Sequence, residues 1–130
     1  MNGAIFGHMN WLKISGASGF LAVACGAFGA HALRDKLPPE LLSAWQTGVL
    51  YHLVHSVALF ALALFAKRPQ GAPDVRFGAW AFLAGILLFS GSLYALSLTG
   101  ARVLGAVTPF GGVAFLAGWA WVAWKLAPRA

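Results

Sequence analysis

Hydrophobic residues in this chain gather into four long runs: Trp11 to Leu33, about Ala44 to Ala66, Phe77 to Leu98 and Gly105 to Trp124, each 20 to 23 residues long. At ~1.5 Å of rise per residue, a helix of that length crosses the ~30 Å hydrocarbon core of a bilayer. Transmembrane strands would be about half as long and would alternate in polarity. These runs do not alternate. The pattern predicts an all-α integral membrane protein.

The polar connectors agree. Arg34-Asp35-Lys36-Leu37-Pro38-Pro39-Glu40 ends the first helix and starts the second, with proline accepted in a first turn and Glu40 near a positive helix end. Leu41 to Gly48 reads as a short interfacial helix ahead of the second span, with Trp45 at headgroup depth. Lys67 to Asp74 is a loop, and Thr99-Gly100-Ala101-Arg102 a tight turn. Short loops make successive helices antiparallel neighbours, so the expected fold is a compact up-down bundle of four transmembrane helices, one domain over residues 1–130.

Composition removes the soluble alternative. The 130 residues are 60% hydrophobic and 9% charged, with a mean hydropathy of +0.77, whereas soluble domains carry roughly 25% charged residues. So short a chain must also expose much of its surface. The net charge of +6 does not point to nucleic acid, because the nine Lys and Arg lie in short groups between apolar runs. That is the pattern of cationic loops at a lipid bilayer, the expected partner.

Six of these cations (Lys13, Lys67, Arg68, Arg76, Lys125, Arg129) fall on the side of the termini, and three (Arg34, Lys36, Arg102) on the other. Positive charge favours the cytoplasm, so both termini are expected there, in a cell inner (plasma) membrane. Leu21-Ala22-Val23-Ala24-Cys25 loosely resembles a lipoprotein cleavage box, but the apolar run continues to Leu33, which favours a retained span. Cys25 is the only cysteine, so neither an intramolecular disulfide nor a Cys-based zinc cluster is available.

Small residues recur every four positions on the first helix (Ser18, Ala22, Gly26, Ala30), a surface for close helix packing. So smooth a helix is expected to be central, touching two neighbours, and it also permits a homo-oligomer or a membrane-complex partner. Trp119, Trp121 and Trp124 read as an interfacial aromatic anchor.

Candidate chemistry lies in the polar residues at depth, which are costly in hydrocarbon. No Asp, Glu, Lys or Arg is mid-span, which removes the buried carboxylates of proton-driven transporters and di-iron bundles. His52 and His55 share one face of the second helix, extended outward by Gln46, Thr47 and Tyr51. His31 ends the first helix, Ser90, Ser92 and Tyr94 sit on the third, and Thr108 precedes Pro109 inside the fourth, where proline and two glycines loosen the backbone. By depth nearly all fall in the non-cytoplasmic half. The candidate ligand pocket is therefore His31, Gln46, Tyr51, His52, His55, Ser90, Tyr94 and Thr108. The competing reading is that these groups bond one another between helices and only fix the packing, at roughly 0.6 kcal/mol each. Two His without a Cys or carboxylate at their depth are too few for zinc, His8 is expected to be solvated, and no residue is singled out as catalytic.

Four segments carry a resemblance: Gly26-Ala27-Phe28-Gly29-Ala30-His31-Ala32-Leu33, Tyr51-His52-Leu53-Val54-His55, Leu88-Phe89-Ser90-Gly91-Ser92-Leu93-Tyr94 and Thr108-Pro109-Phe110-Gly111-Gly112 with Gly118-Trp119. In this order, one per helix, they resemble the small membrane-protein family numbered 423 among the domains of unknown function. The resemblance implies a four-helix protein of the bacterial inner membrane, with relatives in mitochondria-containing organisms. It implies no activity, substrate or cofactor. Three expectations stay open: a non-enzymatic protein that binds a small ligand or supports a membrane complex, a small-solute or proton transporter or channel, and a quinone- or metal-binding redox subunit.

Overall fold

The computed structural model describes residues 9–127. Four helices are long and apolar enough to span a membrane: α1 (Trp11–Leu33), α2 (Pro39–Phe65), α3 (Arg76–Thr99) and α4 (Arg102–Leu126). The described residues contain no strand. His8 and Arg129, used above for solvation and charge, lie outside the described residues.

Each helix boundary has a local cause. Asn10 caps α1 by accepting the Lys13 N–H at 3.2 Å. Pro39 opens α2 in the first turn, where its missing N–H costs nothing. Ahead of α3, the Asp74 carboxylate accepts the Arg76 backbone N–H at 3.0 Å and its guanidinium at 2.7 to 3.1 Å. These bonds hold the Asp74 carboxyl down to about 2. Gly100, in the left-handed region at φ 71°, ends α3 by donating its N–H to the Leu96 carbonyl at 2.7 Å.

Three spans change their winding. α1 ends in a wider π-helical turn over Gly29–Leu33, α3 contains one at Ile86–Ser90, and α4 ends in one at Val122–Leu126. α4 begins as a 3-10 turn, Arg102–Ala106, and becomes α-helical from Thr108. Pro109 thus stands in a first α-turn and breaks nothing. The expected mid-span irregularity is a helix start.

Packing follows chain order: α1 lies on α2, α2 on α3 and α3 on α4. The middle pair forms the centre. In their most apolar windows 39% of residues are buried in α2 and in α3, against 22% in α1 and 17% in α4. The expectation that α1 is central is therefore corrected. Its small residues permit close approach on one side only, where Ser18 and Ala22 bury against α2, while Phe20, Leu21 and Val23 face outward. The interfacial helix expected over Leu41 to Gly48 is likewise absent, since α2 runs unbroken from Pro39. Trp45 is 4% exposed, not at headgroup depth; its indole N–H donates to the Cys25 carbonyl at 2.9 Å.

Lipid is as apolar as leucine, so α3 and α4 gain their association from van der Waals fit and hydrogen bonds between them. Rings on one helix rest on glycines of the other. Phe115 covers Gly85, Phe82 covers Gly118 and Trp121 covers Gly78. At Gly111 the approach is closest, for a Cβ there would collide with the backbone of Phe89. The core of Leu59, Leu62, Ala79, Phe82, Ile86 and Phe115 lies beside these contacts.

Candidate functional site

At the middle of the bundle four side chains form a closed hydrogen-bond circuit, and their donors can be assigned by elimination. Ser56 Oγ donates to the His52 carbonyl, one turn back on its own helix, at 2.7 Å. Its one proton is thereby used, so in the 2.6 Å contact with Ser18 it accepts. Ser18 has then spent its own proton and accepts from His52 Nε2 at 3.2 Å. A neutral imidazole protonated at Nε2 must accept at Nδ1, so the Tyr94 hydroxyl donates to His52 Nδ1 at 2.9 Å. The circuit ties α1, α2 and α3 together and engages both ring nitrogens of His52.

His55, one turn further along α2, is fixed in the opposite tautomer. Its Nδ1 faces the Tyr51 carbonyl at 2.8 Å, which can only accept, so Nδ1 carries the proton. Its Nε2 receives the Trp119 indole N–H, which can only donate, at 3.0 Å. A second proton on His55 would set two donors against each other. Phe115 stacks on the ring at 3.5 Å between centroids and 10° between planes. Trp119 was expected to be an interfacial anchor; it instead completes the coordination of a buried imidazole.

Further hydroxyls act as ties between neighbouring helices, whereas Ser15 and Thr99 bond carbonyls of their own helices. Ser90 donates to the Gly48 carbonyl at 2.7 Å, from α3 to α2, and Ser97 shares its one proton between the Leu41 carbonyl of α2 at 2.9 Å and the Leu93 carbonyl of its own helix at 2.8 Å. Thr108 bonds Ser92 at 2.6 Å, joining α4 to α3; Ser92 spends its proton on the Phe89 carbonyl, so Thr108 donates. Among the described residues no buried side-chain nitrogen or oxygen lacks a partner.

Of the predicted pocket, His52 and Tyr94 meet directly, and His55 meets the Tyr51 backbone. Ser90 and Thr108 form separate ties. His31 and Gln46 are exposed and join none of these bonds. His31 turns outward on the π-helical end of α1, and Gln46 lies on the face of α2 opposite Gly48 and Ser90. His55 is expected near the centre of its span with His52 slightly outward; along the helix it is His52 that stands at the centre, the midpoint of Pro39–Phe65. Ser18, Ser56 and Trp119 carry the network past the centre toward the end of the bundle that holds Trp11 and Phe65. Ser18, Ser56 and Trp119 were missed. Ser56 had a signal, four residues after His52 and hence on its face; Ser18 had only its place in a small-residue repeat.

Two lateral clefts flank the α2 histidines. One, of about 440 Å³, lies between α1 and α3; its surface is almost wholly apolar, and Ser18, Leu21, Cys25, His52, Gly91 and Tyr94 are among the residues that line it. The π-helical turn of α3 supplies Ile86 and Leu87 to that lining. The other, of about 390 Å³, lies beside α4 and is walled by the rings of Tyr51, His55, Phe89, Phe115 and Trp119.

Comparison with known proteins gives the family. A UPF0382 membrane protein of Bacillus subtilis, YwdK, is 47% identical over 109 residues, covering 84% of this chain and 89% of the relative. A UPF0382 membrane protein of Haemophilus influenzae is 44% identical over 109 residues, 84% of this chain and 86% of its own. The UPF0382 inner membrane protein YgdD of Escherichia coli is 44% identical over 115 residues, covering 84% and 82%. No solved structure matches. With the model of the family described as protein of unknown function (DUF423) matching residues 25–112, more than half its length, the four-helix membrane chain described above belongs to that family.

Proposed function

We propose that this protein is a non-enzymatic binding protein of the inner membrane, which holds a small lipid-soluble molecule in the cleft between α1 and α3. One observation carries the reading: a cleft of about 440 Å³ with an almost wholly apolar surface, which His52, Tyr94 and Ser18 line from behind that surface. Ligand sites typically enclose about 300–1,000 Å³ of mostly apolar surface with a few placed polar groups. The rim residues Leu21 and Leu87 are 55% and 65% exposed, so entry is sideways from hydrocarbon.

The transporter alternative draws less support. The circuit runs from Tyr94 to His52, Ser18 and Ser56 and closes on the His52 carbonyl, and among the described residues no hydrogen bond continues it from there to either end of the bundle. All four ring nitrogens are hydrogen-bonded, so metal ligation by the two imidazoles would require breaking a bond at one nitrogen of each ring. The inner-membrane location and cytoplasmic termini are part of the same proposal, supported by the excess of cations on the side of the termini.

Gly91 provides the test. A Cβ placed there meets nothing within 4 Å, and the residue lines the cleft, so Gly91→Leu fills the cleft without disturbing the bundle. Lipid-soluble molecules co-purifying with the wild-type protein, read by native mass spectrometry, are expected to be lost from Gly91→Leu. Identical lipid complements in the two proteins would defeat the proposal. Reporter fusions at each terminus test orientation; a periplasmically active fusion at either end would reverse it.

A further inference from the structure

Another face of the bundle carries a separate site, independent of the cleft between α1 and α3. α2 and α4 both pack on α3, and they meet each other through the rings of His55, Phe115 and Trp119. From those rings a furrow runs between α2 and α4, with α3 as its floor, to the bundle end that holds Pro39 and Arg102. Two recesses mark it. One is the aromatic cleft of about 390 Å³ at Tyr51 and Phe89. The other, of about 430 Å³, lies at the bundle end and is of mixed polar and apolar character. Glu40, Leu41 and Ala44 of α2, Leu96 and Gly100 at the end of α3, and Arg102 of α4 line it.

Glu40, Ala44, Tyr51 and His55 stand four or seven positions apart, so one face of α2 serves both recesses. Leu96 and Phe89, two turns apart, do the same on α3, and Arg102 and Pro109 on α4. At ~1.5 Å of rise per residue, Glu40 stands about 16 Å from Tyr51 along α2. The hydrocarbon of one leaflet is about 15 Å deep. The furrow therefore covers a single leaflet, with charged residues at its outer end and aromatic rings at the midplane.

The charges at the outer end decide the occupant. Glu40 and Arg102 line the same recess, yet they do not bridge each other. Among the described residues the sole ion pair is Arg76–Asp74, at the opposite end of the bundle. A ligand that carries both charges satisfies both residues. We infer that the furrow binds a phospholipid with a zwitterionic, primary-amine headgroup, of the phosphatidylethanolamine class. Its phosphate lies on Arg102, its ammonium on Glu40, and one acyl chain runs along the furrow to the rings at Tyr51. A guanidinium takes phosphate oxygens in paired hydrogen bonds, and a primary ammonium donates N–H groups to a carboxylate. A choline headgroup has the charge and no N–H. An anionic headgroup leaves Glu40 without a partner.

The test titrates the full-length protein in detergent micelles with dioleoyl lipids bearing ethanolamine, choline or glycerol headgroups, and reads bound lipid by native mass spectrometry. The ethanolamine lipid is expected to bind about 2- to 5-fold more tightly than the choline lipid, the worth of an exposed ion pair. Glu40→Gln should erase that preference and leave choline-lipid binding as it was. Arg102→Gln should weaken all three lipids, whereas Lys36→Gln, at the same end but outside the recess, should weaken none. Gly112→Leu fills the aromatic end, where a Cβ meets only Phe89 at 3.9 Å, and should also weaken all three. Equal ethanolamine and choline affinities, a preference that survives Glu40→Gln, or equal losses in Arg102→Gln and Lys36→Gln would overturn the headgroup assignment. Undiminished binding in Gly112→Leu would take the chain out of the furrow and refute the site. Phosphoethanolamine, which has no chains, is expected not to compete at equal concentration. Competition there would make the occupant a soluble zwitterion and rule out the lipid.

Discussion

Ser18→Ala tests whether the central circuit holds the bundle. Ser18 takes part in two interhelical bonds, donating to Ser56 at 2.6 Å and accepting from His52 at 3.2 Å. Interhelical bonds in membranes average roughly 0.6 kcal/mol, so two give about 1.2 kcal/mol. The His52 N–H is also left without an acceptor at a residue 6% exposed, and stranding a buried polar group costs about 1 to 3 kcal/mol. Losing one side-chain oxygen leaves little cavity, so the polar loss dominates, and a destabilisation of about 1.5 to 3 kcal/mol is expected. Ser56→Ala should cost less. The His52 carbonyl that it abandons keeps its helical partner, and the Ser18 hydroxyl can turn away. Because the two serines share a bond, the double variant should fall short of the sum of the singles by about 0.6 kcal/mol. Reversible unfolding in mixed micelles measures all three, with the exposed Ser43→Ala as control. If Ser18→Ala and Ser43→Ala were equally stable, or the two circuit variants strictly additive, the circuit would contribute nothing and the donor assignment would lose its basis.

Further expectations follow from the same geometry. Solid-state nitrogen NMR should find the two buried histidines neutral and in opposite tautomers, Nε2–H for His52 and Nδ1–H for His55; a shared tautomer would contradict the assignments. Gly111→Ala should cost about 1 to 3 kcal/mol by forcing α4 off the Phe89 backbone, while Gly91→Ala, with open space around its Cβ, should be nearly silent in the same unfolding assay. Trp119→Phe should remove the donor to His55 Nε2, visible as a shift of that nitrogen's resonance, with no effect on His52. The Asp74 carboxyl, lowered to about 2 by Arg76, stabilises the start of α3 above the ordinary carboxylate range and loses that contribution as pH falls from about 4 through 2. Carbon NMR of Asp74 should show the low midpoint, and Arg76→Ala should return it toward the ordinary value. The pair is exposed, so the effect on global stability should be small.

Hydropathy is a property that each residue expresses against its solvent one position at a time, and so the four spans, their helical form and their antiparallel order could be read along the chain. The same holds for the rarity of His52, His55, Tyr94 and Ser90 in hydrocarbon, which marks them before any partner is known. Partners are another matter. Whether two helices meet, and by which faces, depends on their rotation and crossing, and lipid and leucine compete for those faces on nearly equal terms. Only the tertiary structure could therefore put α2 and α3 at the centre, turn His31 outward, bury Trp45, and deliver Trp119 from the last helix to His55. Ser18 shows the division most plainly. In the sequence it is a small residue in a packing repeat, and in the fold it is the atom on which the His52 circuit closes.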